Sequence, residues 1–274
     1  MKTLKLFMIL ALSLCISLPA FAGESLMMAT TTSTANTGLL DKLIVPQFKQ
    51  DTGIEIKFVA VGTGKALKMA ENCDVDVVLV HAPASEKKYV DTGVLIDRTQ
   101  LMYNDFVIIG PESDPAKIKG MKVVEAMKTI AEKQAAFVSR GDNSGTNKKE
   151  ISLWKTAGLT VPDKADYYVQ TGQGMIATIN VAAEKDAYTM TDRGTYIKYS
   201  HTHNGNPPLK VLVEGDKVLF NQYSALAVNP GKCKDAKYEL AKKFIAWMAS
   251  PAIQKKISEF TLLGKVLFTP NAGK

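Results

Sequence analysis

The sequence predicts an α/β protein of two lobes, the second inserted into the first and joined to it by two crossover strands. Three observations lead there. A unit of strand, small polar turn and helix recurs: residues 26–29 run into Thr30-Thr31-Thr32-Ser33 and a helix, and residues 54–60 run into Gly62-Thr63-Gly64 and another. Residues 75–80 form a continuous apolar run of the kind buried on both faces of a predominantly parallel sheet. Residues 106–109, closed by Gly110-Pro111, and a later strand pair at 217–220 and 225–228 enclose a segment with strands and helices of its own. The expected division is lobe I from 23–105 and 221–274, with lobe II from 106–220.

In chain order, residues 1–22 read as an export signal. Lys2 and Lys5 make a basic start, residues 6–18 are apolar but too short for a comfortable span, and Ala20-Phe21-Ala22 has the small-x-small pattern of a cleavage site. Cys15 follows Leu14, where a lipidated cysteine needs a small residue. Cleavage after Ala22 and a soluble chain outside the cytoplasm are therefore expected. About 250 residues remain, enough for two modest domains, with no further stretch long enough to cross a bilayer.

A helix is expected from 37–50, stopped near Gly53. Between the crossovers come a strand at 136–138, a helix after Ser144, a strand at 167–169, a helix from Gly174 and a strand at 187–190. After Pro230, two amphipathic helices follow at 236–248 and 251–260.

The chain carries +7; removing Lys2 and Lys5 leaves about +5. The lysines are scattered and not interleaved with aromatics, so they read as a solvated basic surface, not a nucleic-acid interface. Cys73 and Cys233 remain after processing. An oxidising compartment permits a bridge, but they are far apart in sequence and lack metal-type spacing, so the sequence leaves pairing open. Of the three histidines, His81, His201 and His203, the last two lie in a polar stretch expected to be a loop.

Three turns carry chemistry. Thr30-Thr31-Thr32-Ser33 offers four hydroxyls where a helix start needs only one cap, and Gly62-Thr63-Gly64 leaves backbone donors open. The stretch 139–146, Ser-Arg-Gly-Asp-Asn-Ser-Gly-Thr, joins an arginine to small residues and hydroxyls at a helix start, where unpaired N–H groups and partial positive charge favour an anion. Arg140 supplies a planar fork that keeps its proton, and Asp142, two residues on, is expected to orient it. A fourth turn, 170–175, again opens a helix. Arg193 is expected to bridge to Asp192. Each turn by itself also reads as ordinary capping; their shared position after strands favours a common anion site.

With these stretches in place, the chain resembles the tungstate-binding protein family, the periplasmic component of tungstate ABC importers. The resemblance covers the processed chain and rests on 30–33 with 37–40, 61–64, 78–81, 102–107, 137–142 with 144–146, 172–175 and 187–194. It implies a type II, Venus-flytrap fold of two lobes. It also implies tungstate, or molybdate, bound by Thr31, Thr32, Ser33, Thr63 and Gly64 from one lobe and by Arg140, Ser144, Gly145 and Thr146 from the other, with Asp142 behind Arg140. Asn147 departs from the family pattern, which usually has histidine there.

The function expected is capture without chemistry, by a monomer that needs no cofactor and no free metal cation and delivers its ligand to a membrane permease. Donors alone suit a fully deprotonated oxyanion and penalise a protonated phosphate, which needs an acceptor; molybdate or another tetrahedral oxyanion, sulfate or phosphate, remains the alternative. An exported hydrolase using Ser33 or Ser144 lacks a Gly-x-Ser-x-Gly elbow. Gly64-Lys65 lacks the spacing of a phosphate-binding NTPase loop. A ligand-sensing domain that docks to a receptor would share fold and site.

Overall fold

In the computed structural model, residues 24–273 are described; the expected export signal, including Cys15, lies outside them. The chain starts on β1 (Ser25–Thr31), passes through a short helix α1 (Thr32–Asn36), a π-helical turn (Leu40–Ile44) and α2 (Val45–Thr52), and returns as β2 (Glu55–Val61). Then follow α3 (Thr63–Glu71), β3 (Val77–Val80) and α4 (Pro83–Asp91). The long β4 (Leu95–Pro111) leads to α5 (Val123–Glu132), β5 (Phe137–Ser139), α6 (Gly145–Thr156), β6 (Tyr168–Gln170), α7 (Met175–Glu184), β7 (Thr189–Asp192), α8 (Arg193–Thr202) and β8 (Leu209–Val213). A strand β9 (Phe220–Val228) leads back to α9 (Tyr238–Ala249), α10 (Pro251–Glu259), a hairpin of β10 (Thr261–Leu262) and β11 (Lys265–Val266), and a last strand β12 (Thr269–Pro270).

The fold is the two-lobed α/β architecture the sequence predicts. The first lobe's sheet runs in the order β12-β4-β9-β3-β1-β2, with β1 parallel to both β2 and β3. Alternation along each strand sends neighbours to opposite faces. Val77 and Leu79 join a core with Phe48 and Phe244, whereas Val78 and Val80 join one with Leu67 and Leu226. Helices cover both faces, and this is why the run before His81 is apolar without interruption. In the second lobe Phe106 and Ile108 pack with Trp154 and Tyr188, and Val107 and Ile109 with Ile179 and Tyr199.

Several local expectations are corrected. The sheet is mixed, because β4 leaves the first lobe and β9 returns to it, antiparallel to each other and to their neighbours. β4 is one strand of 17 residues, whose latter half pairs with β7 and β8. Hydropathy revealed only its 106–109 portion, since polar residues such as Asn104 and Asp105 interrupt the pattern. The expected strand at 217–220 is a 3₁₀ turn (Lys217–Leu219), and β9 runs unbroken through Asn221 and Gln222. The helix expected from 37–50 starts after Gly38, whose φ of 77° is left-handed and closes α1, and it runs on through the π-helical turn and α2 to Thr52. His201 and His203 lie at the end of α8, not in a loop, and His203 Nδ1–H donates to the Tyr199 carbonyl at 2.8 Å. Cys73 and Cys233 form a disulfide, Cα atoms 5.4 Å apart, which ties the segment after α3 to the one before α9.

Candidate functional site

The turns singled out in the sequence follow the carboxyl ends of strands, where open α/β sheets leave a crevice. β1 delivers Thr31-Thr32-Ser33, β2 delivers Thr63-Gly64, and β5 delivers Arg140 with the start of α6. All nine expected residues, Thr31, Thr32, Ser33, Thr63, Gly64, Arg140, Ser144, Gly145 and Thr146, line one cleft of about 1040 Å³. Gly174, Met175 and Ile176 at the start of α7 line it too, so the fourth turn reaches the same space.

The four hydroxyls of the first turn divide their tasks. Thr30 is buried and donates to the Leu79 carbonyl at 2.7 Å. Thr31 Oγ1 accepts the Thr34 N–H at 3.1 Å, making it the cap of α1. Thr32 is exposed and Ser33 half-buried, both on the cleft wall. Structural capping therefore accounts for one residue of the row. At α3, Gly62 caps without a side chain, and the Ala66 N–H bonds the Gly62 carbonyl, so the N–H groups of Thr63 and Gly64, which line the cleft, are helix-start donors without a partner in α3.

On the opposite wall, Arg140 Nη2 donates to Asp142 Oδ2 at 2.5 Å, as expected. Asp142 Oδ1 accepts the Ser144 N–H at 3.2 Å. Burial pushes the Asp142 carboxyl up, but the Ser144 hydroxyl and N–H together with Arg140 outweigh it and hold the group below the usual carboxylate range. Arg140 Nε is buried with no partner in the protein among the described residues. A guanidinium N–H left unpaired is costly, so an acceptor brought by a ligand would complete it. Ser144 caps α6 by accepting the Asn147 N–H, and the Lys148 N–H bonds the Ser144 carbonyl, leaving the Gly145 and Thr146 N–H groups open. Gly141 has φ 60°, and a Cβ there would stand 2.7 Å from Gln170 Cβ, so this turn requires glycine.

Asn147 is buried and turned away from the cleft. Its Oδ1 accepts the Asn143 N–H at 3.0 Å, and its Nδ2 donates to Ser139 Oγ at 3.2 Å and to Glu150 Oε2 at 3.3 Å. Glu150, 2% exposed, also accepts from Ser139 Oγ, from Trp154 Nε1 at 2.7 Å and from the Tyr168 hydroxyl at 2.7 Å. Asparagine at this position thus props the Arg140 turn on a buried carboxylate.

The bridge expected between Arg193 and Asp192 is not formed. Arg193 instead grips Asp105 of β4 through Nε at 2.6 Å and Nη2 at 2.5 Å, and it reaches Glu214 at 2.6 Å. Asp192 caps α8, accepting the Thr195 N–H at 2.8 Å and hydroxyl at 2.6 Å. An N-cap residue has its side chain committed to its own helix, while Asp105 lies beside it across the β4–β7 ladder.

Sequence reasoning assigned no role to several residues on the cleft. His81 follows β3, and Lys65, Lys149 and Lys198 add cationic ends. Lys198 Nζ donates to the Asn36 carbonyl at 2.5 Å, linking α8 to α1 across the cleft. Two signals marked His81: its position after β3, the strand next to β1, and its place in the stretch 78–81 that carries the family resemblance.

Comparison with known proteins agrees with this fold. A family model described as PBP superfamily domain matches residues 21–252. The chain is 49% identical over 240 residues to the tungstate-binding protein TupA of Campylobacter jejuni, covering 88% of each chain. A solved structure, the tungstate binding protein TupA from Desulfovibrio alaskensis G20, is 68% identical with a TM-score of 0.88, over 91% of this chain and 99% of that one. Another, described as the tungstate ABC transporter from Geobacter sulfurreducens, is 47% identical with a TM-score of 0.75, over 86% of this chain and 99% of that one.

Proposed function

The chain belongs to the tungstate-binding proteins of the PBP superfamily, and from that membership we propose that it captures tungstate between its lobes outside the cytoplasm and delivers it to the permease of an ABC importer. The observation that carries the reading is the convergence of donor turns from both sides of one cleft around Arg140, whose Nε has no protein partner among the described residues. Thr32, Ser33, Thr63 and Gly64 supply donors from the first lobe; Arg140, Ser144, Gly145 and Thr146 supply them from the second. Thr31 contributes from behind, as a cap.

Capture is substitution of a hydration shell. The dianion exchanges water for N–H and O–H donors that already point into the cleft, and closure of the lobes by hinge motion completes the set. No bond in the ligand is made or broken, so the protein acts as a binding component of transport and not as an enzyme. Asp142 balances Arg140 while leaving Nε free, and the cleft lysines add a diffuse positive field that steers an anion inward.

A thermal-shift panel tests the reading. Tungstate should raise the melting temperature of the unliganded protein, molybdate and sulfate should report the tolerance of the site, and phosphate, which brings a proton needing an acceptor, should raise it least. Absence of any shift with all four oxyanions would overturn the assignment. A second expectation separates donors from scaffold. The double substitution Thr32→Ala with Ser33→Ala should weaken tungstate binding roughly tenfold or more while leaving the unliganded melting temperature unchanged, because Thr31 keeps the cap. Lost stability with intact affinity would mark these hydroxyls as structural.

A further inference from the structure

His81 is the one imidazole on the cleft among the described residues, and capture as derived above leaves it unused. Its Nε2 lies 3.0 Å from Thr31 Oγ1 and 3.0 Å from Ser33 Oγ. Its Nδ1 lies 3.0 Å from Asn221 Oδ1. Asn221 spends its amide nitrogen on Asn104 Oδ1 at 2.8 Å, so its oxygen must accept and His81 Nδ1 carries the hydrogen. The ring rests on Tyr223, centroids 4.7 Å apart, and Asn104 and Asn221 sit on the crossover strands β4 and β9. Held at both nitrogens and on one face, the imidazole keeps Nε2 directed at the two hydroxyls.

We infer that His81 is a positioning residue of the oxyanion site, whose Nε2 decides which way the Ser33 hydroxyl points its proton, so that capture of a dianion is accompanied by uptake of one proton at His81. The inference rests on the proposed oxyanion capture and deepens it. A hydroxyl has a single proton to give. While Nε2 is a bare lone pair, it draws a hydroxyl proton inward, away from the cleft. Once Nε2 carries a hydrogen, it donates to these oxygens instead, and the Ser33 proton turns outward to the ligand, while Thr31 keeps its partner in Thr34 Oγ1 at 2.7 Å. The added charge also lies within the site: a Cβ on Gly145, on the opposite wall, would be 3.9 Å from His81 Cε1.

The surroundings keep this change poised on the ligand. Burial holds the unliganded imidazole below its ordinary pKa, against the Asn221 hydrogen bond and the charge of Asp192 at the start of α8. From β9, Tyr223 faces the ring with a hydroxyl that burial keeps neutral. Across the cleft, Arg140 and the open start of α6 oppose a further positive charge until an anion arrives. A bound dianion reverses that balance and raises the pKa. Proton uptake therefore falls in the window between the lowered unliganded value and the raised liganded one. Affinity is greatest below the unliganded pKa and declines as pH rises through the liganded pKa.

Titration calorimetry with sodium tungstate, at about pH 7 in buffers of different ionisation enthalpy, counts the protons taken up. Tungstate is fully deprotonated there, so any proton belongs to the protein. The unsubstituted protein should take up a proton on binding, up to one per ligand, with affinity falling by up to about tenfold per pH unit toward alkaline pH. His81→Gln keeps an amide donor near Nε2 but cannot titrate; it should bind with pH-independent affinity and no uptake. Binding without proton exchange in the unsubstituted protein, or equal uptake in His81→Gln, would overturn the inference while leaving oxyanion capture intact. Failure of the unsubstituted protein to bind tungstate would overturn both. The buffer comparison on the unsubstituted protein needs no variant, so the inference is decided even where His81→Gln does not fold.

Discussion

Replacing Arg140 with alanine weakens tungstate binding by about 1.5–3 kcal/mol or more, roughly 10- to 150-fold by calorimetry. The side chain brings a charge that persists at any working pH and a buried Nε that lacks an acceptor until the ligand supplies one. Arg140→Lys separates the two contributions. Lysine restores a point charge but not the fork, and Asp142, at 2.5 Å from Arg140 Nη2, would draw the ammonium toward itself. Its affinity should fall between those of Arg140→Ala and the unsubstituted protein. The cleft lysines, Lys65 and Lys149 among them, soften the loss of charge but stand elsewhere on the wall. Unchanged affinity in Arg140→Ala would remove this residue from the site.

Glu150→Ala destabilises the unliganded protein by about 3 kcal/mol or more, because four donors lose their acceptor in a place water does not reach. Ser139, Asn147, Trp154 and Tyr168 all direct hydrogens at this carboxylate, which is 2% exposed. In a chain of this size the melting temperature should fall by roughly 6–12 °C. The same network carries the Arg140 turn through Ser139, which accepts the Gly141 N–H, and Asn147, which accepts the Asn143 N–H. Tungstate affinity should therefore fall as well. Glu150→Gln keeps the shape but turns an amide donor toward other donors, and should lie between the two. An unchanged melting temperature in Glu150→Ala would show that these donors find other partners.

Much of the architecture was legible because it is written locally. Period-two alternation and unbroken apolar runs mark β1, β2 and β3, and capping residues mark the helix starts that follow them. Those same local features place donors after the strands, and parallel strands with helical crossovers bring their carboxyl ends to one side. Thr31, Thr32, Ser33, Thr63 and Gly64 reach the cleft for that reason, whereas Arg140, Ser144, Gly145 and Thr146 follow β5 of a separate sheet and reach it from the second lobe.

The crossover strands were only partly legible. Asn104 and Asn221 break the apolar pattern of β4 and β9, yet both are buried, since Asn221 Nδ2 donates to Asn104 Oδ1 across the ladder and Asn221 Oδ1 accepts from His81. Hydropathy scores a residue by itself and cannot register a polar pair that neutralises its own cost of burial.

The sequence by itself determined the fold class, the donor turns and Arg140 with its Asp142 support, all of them set by residues within a few positions of one another. Tertiary structure alone decided the partner of Arg193, the Cys73–Cys233 bridge, the inward turn of Asn147 onto Glu150 and the place of His81 between the Thr31 and Ser33 hydroxyls and Asn221 of β9. Most of these contacts join residues far apart in the chain, such as the 140 positions between His81 and Asn221 and the 160 between the cysteines. Strand register and lobe packing create such neighbours, and no local pattern encodes them.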